Sequence, residues 1–145
     1  MYYVEGHYVA ADDTRAGNSL NNASTRRVRV TGSGTTWDLE YVPGDGTRRQ
    51  KPAVEVWKDL DADVALEGID VAGDGHFDVA CKVTRNANGT YHYEYAVYNM
   101  TSHRSARTFS VPVPAGAAVT NVGFHDIALH SGEPYSSTDW LMLPS

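Results

Sequence analysis

The clearest pattern along this chain is alternation. Arg26-Arg27-Val28-Arg29-Val30 and Trp37-Asp38-Leu39-Glu40-Tyr41-Val42 alternate charged with apolar side chains, the period of a strand with one wet face. Phe77, Val79, Cys81 and Val83 hold the apolar positions of a third run, and Tyr91, Tyr93, Tyr95 and Val97 share one face of a fourth. Turn chemistry separates these runs. Pro43-Gly44-Asp45-Gly46 closes one, Gly73-Asp74-Gly75 joins the segment 64–71 to 77–83, and Asn86-Ala87-Asn88-Gly89 provides the positive φ of a tight hairpin. Segments 2–9, 53–57, 105–113 and 119–125 read as further strands, with one helical turn over 11–17 and a polar loop over 18–24. About nine short strands predict an all-β fold, an antiparallel β-sandwich of jelly-roll or immunoglobulin-like type. No repeat, low-complexity tract or linker interrupts the 145 residues, so a single domain over 1–145 is expected.

Composition agrees with strands. Val occurs 16 times against 7 Leu and 2 Ile, beside 12 Thr and 9 Tyr, a bias toward side chains that suit a pleated surface. Twelve basic against eighteen acidic residues leave a net charge of −6, which argues against nucleic acid as a partner. No apolar run reaches the roughly 20 residues of a membrane-spanning helix. The start Met1-Tyr2-Tyr3-Val4-Glu5 has neither the basic flank nor the apolar stretch of a signal peptide. A single cysteine rules out an internal disulfide framework. Cys81, in its apolar alternation, reads as a buried small hydrophobe.

The sharpest chemical motif is Asp70-Val71-Ala72-Gly73-Asp74-Gly75-His76-Phe77-Asp78. Calcium wants six to eight oxygens, and short acidic loops deliver them around a glycine turn. Asp70, Asp74 and Asp78, with the His76 carbonyl, have usable spacing. The segment resembles the Asp-rich loop of FG-GAP and VCBS repeats. It departs from an EF-hand loop, because Ala72 replaces an oxygen ligand and Cys81 stands where the Glu belongs. Asp59, Asp61 or Asp63 would have to complete the sphere. The alternative is a hairpin turn in which Asp and Gly serve backbone conformation alone.

A second cluster, His125-Asp126-Ile127-Ala128-Leu129-His130-Ser131-Gly132-Glu133, offers imidazole and carboxylate ligands that suit zinc, a weaker candidate than calcium, with His103 as a further ligand. The same groups could serve as His125 or His130 general base, Asp126 as its orienting partner and Ser131 as nucleophile. Their alternative is a set of loop histidines bonded to backbone and carboxylates. The tyrosine stripe reads as inward packing, or else as a sugar-stacking platform, with Tyr98, Trp57 and Trp140 as other platform residues. Arg26, Arg27 and Arg29, and Arg48, Arg49 and Lys51, read as solvated, edge-protecting charge. Three Asn-x-Ser/Thr sequons begin at Asn22, Asn88 and Asn99.

Tyr91 to Thr101, Arg104-Ser105, Phe109 to Pro114, Asn121 to His125 and His130 to Tyr135, with Gly17-Asn18 and Asn21 to Ser24, resemble a β-sandwich module of large exported proteins from environmental bacteria. The resemblance implies export, an extracellular or cell-surface location and a β-rich fold, and it carries no reaction. It also implies that this chain is an excised piece whose missing strand leaves a sheet edge open to self-association. Two functions are expected from these residues. One is an extracellular module, calcium-stabilised through Asp70, Asp74, His76 and Asp78, for adhesion, assembly or carbohydrate contact. The other is a small calcium- or zinc-dependent hydrolase of an ester or lactone, worked by His125, Asp126, His130 and Glu133.

Overall fold

A computed structural model describes residues 2–125 together with 138, 140 and 141. The chain divides into two units, Met1–Arg107 and Thr108–Ser145. The first holds all the regular structure seen among the described residues: β1 (Tyr2–His7), α1 (Ala11–Arg15), a 3-10 turn (Ser19–Asn21), β2 (Ala23–Ser33), β3 (Thr36–Tyr41), α2 (Ala53–Leu60), β4 (Ala65–Val71), β5 (Gly75–Arg85) and β6 (Tyr91–Asn99). Six antiparallel strands form two three-stranded sheets, in the orders β1-β2-β3 and β4-β5-β6. The all-β expectation holds at that level. Each sheet is a plain meander with its strands in chain order.

Nine strands were expected and six are found among the described residues, for two physical reasons. Segment 53–57 is helix, not strand. Pro52 precedes it with extended φ and ψ, and the Glu5 carboxylate accepts a hydrogen bond from the Ala53 amide at 2.7 Å, satisfying an orphan donor of the first turn. Val54-Glu55-Val56 alternates, but a run that short fits either period, and packing chose the helix. Segments 105–113 and 119–125 form no strand. Pro112 and Pro114 lack the amide a ladder needs, while Ser105 and Asn121 sit at φ of 62° and 55°, outside strand geometry.

The core of the first unit lies between α2 and the second sheet. Val54, Val64 and Ala80 are buried there, with Trp57, Leu66, Ala96 and Tyr98 packed around them. Helix α2 also touches β1 and β2 of the first sheet. There Ala23 and Thr25 are fully buried, and Thr25 Oγ1 donates to the Lys51 carbonyl at 2.8 Å. Beyond this junction the β2–β3 hairpin is exposed, β3 along its whole length. The amide of Leu39 is covered by the Asp38 carboxylate at 2.7 Å, which blunts that edge. Among the described residues no helix is long and apolar enough to cross a membrane.

In the second unit the described residues carry no helix or strand; Phe124 and Trp140 stack with centroids 5.6 Å apart.

Candidate functional site

Register assigns every side chain of the second sheet to a face. His76 pairs with Asp70, Asp78 with Gly68 and Tyr98, and Ala80 with Leu66 and Ala96. These residues form the inner face, turned toward α2. Ile69, Phe77, Val79, Cys81, Val83, Tyr93 and Val97 form the outer one.

Part of the acidic motif converges on the inner face. The His76 ring lies between two carboxylates, with Nδ1 2.7 Å from Asp70 Oδ1 and Nε2 3.2 Å from Asp78 Oδ1. With both carboxylates ionised, bonding both at once needs a proton on each nitrogen, so the geometry favours imidazolium. The bond to Asp70 raises the imidazole above its ordinary value, burial opposes that rise, and Asp78 adds to it. Gly68 makes room for the ring, since a Cβ there would stand 2.9 Å from His76 Cε1. Asp78 is itself buried.

Asp74 does not join this group. Its carboxylate accepts from the Ser102 hydroxyl and from the His103 and Arg104 amides at 3.2 and 3.3 Å. Those bonds, the Ser102 one foremost, hold it below the usual carboxylate range. The His76 carbonyl, expected as a calcium ligand, accepts instead from the Met100 and Thr101 amides at 3.0 and 3.1 Å. Asp59 pairs with Lys51 and Asp61 with Lys82, so neither is drawn to the bend. Among the described residues no group of three or more His, Cys, Asp or Glu is arranged to hold a metal ion. A calcium ion here would first have to pull Asp74 off its loop and Asp70 and Asp78 off the His76 ring.

One connection had no signal in the sequence. Glu5 of β1 accepts from the Tyr98 hydroxyl at 2.5 Å with one oxygen and from the Ala53 amide with the other. A single carboxylate thereby ties the first sheet, α2 and the second sheet together. Burial raises the Tyr98 hydroxyl well above its ordinary value, and the bond to Glu5 adds to the shift. Burial also raises the nearby Glu55 carboxyl, Lys51 opposing and Asp78 adding.

Much of the outer face is apolar and wet, although Phe77 is buried. Tyr91 and Tyr93 are 56% and 55% exposed, and Ile69, Val71, Val83 and Val97 are exposed as well. The expectation that the tyrosine stripe packs inward is therefore overturned: Ala96 and Tyr98, the intervening positions, face the core. Tyr93 and Tyr95 hold their rings nearly parallel, 10° apart with centroids at 6.5 Å. Cys81 is half-buried on this face, not in the core as expected, and lies opposite Ala65 and Tyr95. An open hollow of about 230 Å³ nearby is lined by Ala65, Leu66, Glu67, Val79 and Cys81. Of the other platform candidates, Trp57 and Tyr98 pack against the core, while Trp140 is exposed in the second unit, stacked on Phe124.

Several members of the basic clusters find local partners. Arg26 lies over the Tyr41 ring at 3.9 Å, Arg29 bonds Glu40 at 2.5 Å, and Arg48 pairs with Asp45 at 3.1 Å. Of the second cluster, His125 is exposed in the second unit and His103 is exposed in the first. Asp126, His130, Ser131 and Glu133 lie outside the described residues. No family model matches this chain, and no curated protein or solved structure matches it.

Proposed function

We propose that this chain is a non-catalytic module of an exported protein, a sandwich-like pair of sheets that contacts neutral carbohydrate through the outer face of the second sheet. The observation that carries the reading is the exposure of Tyr91, Tyr93, Val83, Val97, Ile69 and Val71 on one continuous face. A soluble surface rarely leaves so much contiguous apolar area without a use. Tyrosine rings stack on the apolar C–H faces of sugars, and their hydroxyls bond sugar oxygens. Glu67, at the hollow, adds an acceptor for hydroxyl donors. A net charge of −6 repels anionic polymers, which narrows the ligand to a neutral glycan.

The inner-face cluster supports the non-catalytic reading. With both ring nitrogens bonded to carboxylates, His76 has no free nitrogen to offer a substrate as a base. Calorimetry against a panel of neutral polysaccharides tests the proposal. The double variant Tyr91→Ala/Tyr93→Ala is expected to bind about tenfold more weakly or worse, since each ring contributes roughly 0.5–1.5 kcal/mol. Its melting temperature should stay at the wild-type value. Absence of binding to every polysaccharide, undiminished binding by the double variant, or a tight dimer that buries this face would overturn it.

A further inference from the structure

Three sequons are present, and the structure separates them sharply. At Asn22-Ala23-Ser24 the Asn22 Nδ2 donates to Asp13 at 2.6 Å, Ala23 is fully buried, and the Ser24 hydroxyl accepts from the Gln50 amide. At Asn99-Met100-Thr101 the Asn99 Nδ2 donates to the Ser102 carbonyl at 3.0 Å, Met100 is buried, and Thr101 Oγ1 accepts from the His76 amide at 2.9 Å. Each of these sites has its amide occupied, its middle residue in the interior and its hydroxyl tied to a distant strand or loop.

Asn88-Gly89-Thr90 is the opposite in every respect. It forms the tip of the β5–β6 hairpin with all three residues exposed. Asn88 Oδ1 accepts from the Thr90 amide at 3.1 Å and from the Thr90 hydroxyl at 2.7 Å, a local Asx turn. Gly89 takes φ of 85°, which the turn needs and glycine permits. Among the described residues no bond engages Asn88 Nδ2, so the nitrogen that would form a glycosidic bond faces solvent. The Thr90 hydroxyl, by accepting at 2.9 Å from Asn86 Nδ2, stays within the turn.

We propose that Asn88 is the N-glycosylation site of the folded chain, and that Asn22 and Asn99 are closed to modification by the fold. The donor is a sugar carried on a phosphate or diphosphate leaving group. Asn88 Nδ2 bonds to the sugar C1, the C1–O bond to phosphate breaks with its electron pair leaving on the phosphate, and one amide proton passes to a base of the transferase. No redox change occurs. This assignment does not rest on carbohydrate binding at the outer face.

The test uses the folded chain, UDP-glucose and a soluble N-glycosyltransferase, with synthetic peptides spanning each sequon as controls for intrinsic acceptor quality. Peptide mapping by mass spectrometry should find one hexose, on Asn88, added within a few-fold of the peptide rate. Asn22 and Asn99 should react about a hundredfold or more slowly than their peptides, because each must first open locally. Asn88→Gln should melt like wild type and remain unmodified. Modification of Asn22 or Asn99 at near-peptide rates, or an Asn88 that resists in the folded chain, would overturn the proposal.

Discussion

The two faces of the second sheet differ in a way that reverses the usual reading of alternation. The outer face holds the large apolar side chains Phe77, Val79, Val83, Tyr93 and Val97; Phe77 is buried, while Val83, Tyr93 and Val97 are open to solvent. The inner face, covered by α2, carries Asp78, Ala80 and Lys82 along β5. Around Ala80 that face is buried; on either side charge is matched to charge, His76 with an exposed Asp70 and a buried Asp78 at one end and Lys82 with Asp61 at the other. Period-two patterning therefore identifies which residues share a face. It does not say which face the rest of the chain will cover.

The strongest way to break this comparison is to place one charge on each face. Ala80→Asp buries an unpaired carboxylate among Val54, Val64 and Leu66, and should cost about 4 kcal/mol or more in urea unfolding, enough to prevent folding of a marginal domain. Val83→Asp on the outer face should stay within about 1 kcal/mol. Equal losses would mean that both faces are interior.

Glu5→Ala is expected to come next, at about 2–4 kcal/mol by the same measurement. It strands the Tyr98 hydroxyl and removes the acceptor at the start of α2. Glu5→Gln, which keeps an acceptor, should cost less. If alanine has no effect, the two sheets are held by other means.

The imidazolium clamp sharpens the contrast through pH. Its folded value is raised above the ordinary 6.5, so its contribution is whole below about pH 6.5 and fades as pH rises through the folded value. NMR titration should find His76 protonated above its ordinary range. Asp70→Asn should lower that value more than Asp78→Asn does, because the Asp70 bond is the larger cause. An unshifted His76 would remove the clamp.

The smallest effect is expected from calcium. The would-be ligands already bond Ser102, the 103–104 amides and His76, so thermal melts with calcium and with chelator should coincide. A rise of several degrees with calcium would show that the bend rearranges to bind it.

Several elements were legible in the residues alone. The strand Tyr91–Asn99 and the hairpins at Gly73-Asp74-Gly75 and Asn86 to Gly89 follow from local steric preference and turn chemistry, which act over a few residues. Of the candidate site, the residues Asp70, His76 and Asp78 were identifiable as a group, but their partners were not: spacing suggested a shared ion, while register put the imidazole itself between the carboxylates. The helix at 53–60 escaped because the short alternation Val54-Glu55-Val56 fits either period until Glu5 and the core fix one.

What the amino-acid order determined by itself is six of the nine expected strands, the hairpin turns between them and the division of their side chains between faces, because backbone sterics and pleat geometry are local. What only the tertiary structure decided is which face α2 would cover, that Glu5 would meet Tyr98 from 93 positions away, and which of three sequons would stay open. Those outcomes depend on contacts between segments far apart in the chain, where burial and hydrogen-bond satisfaction outweigh any short-range preference.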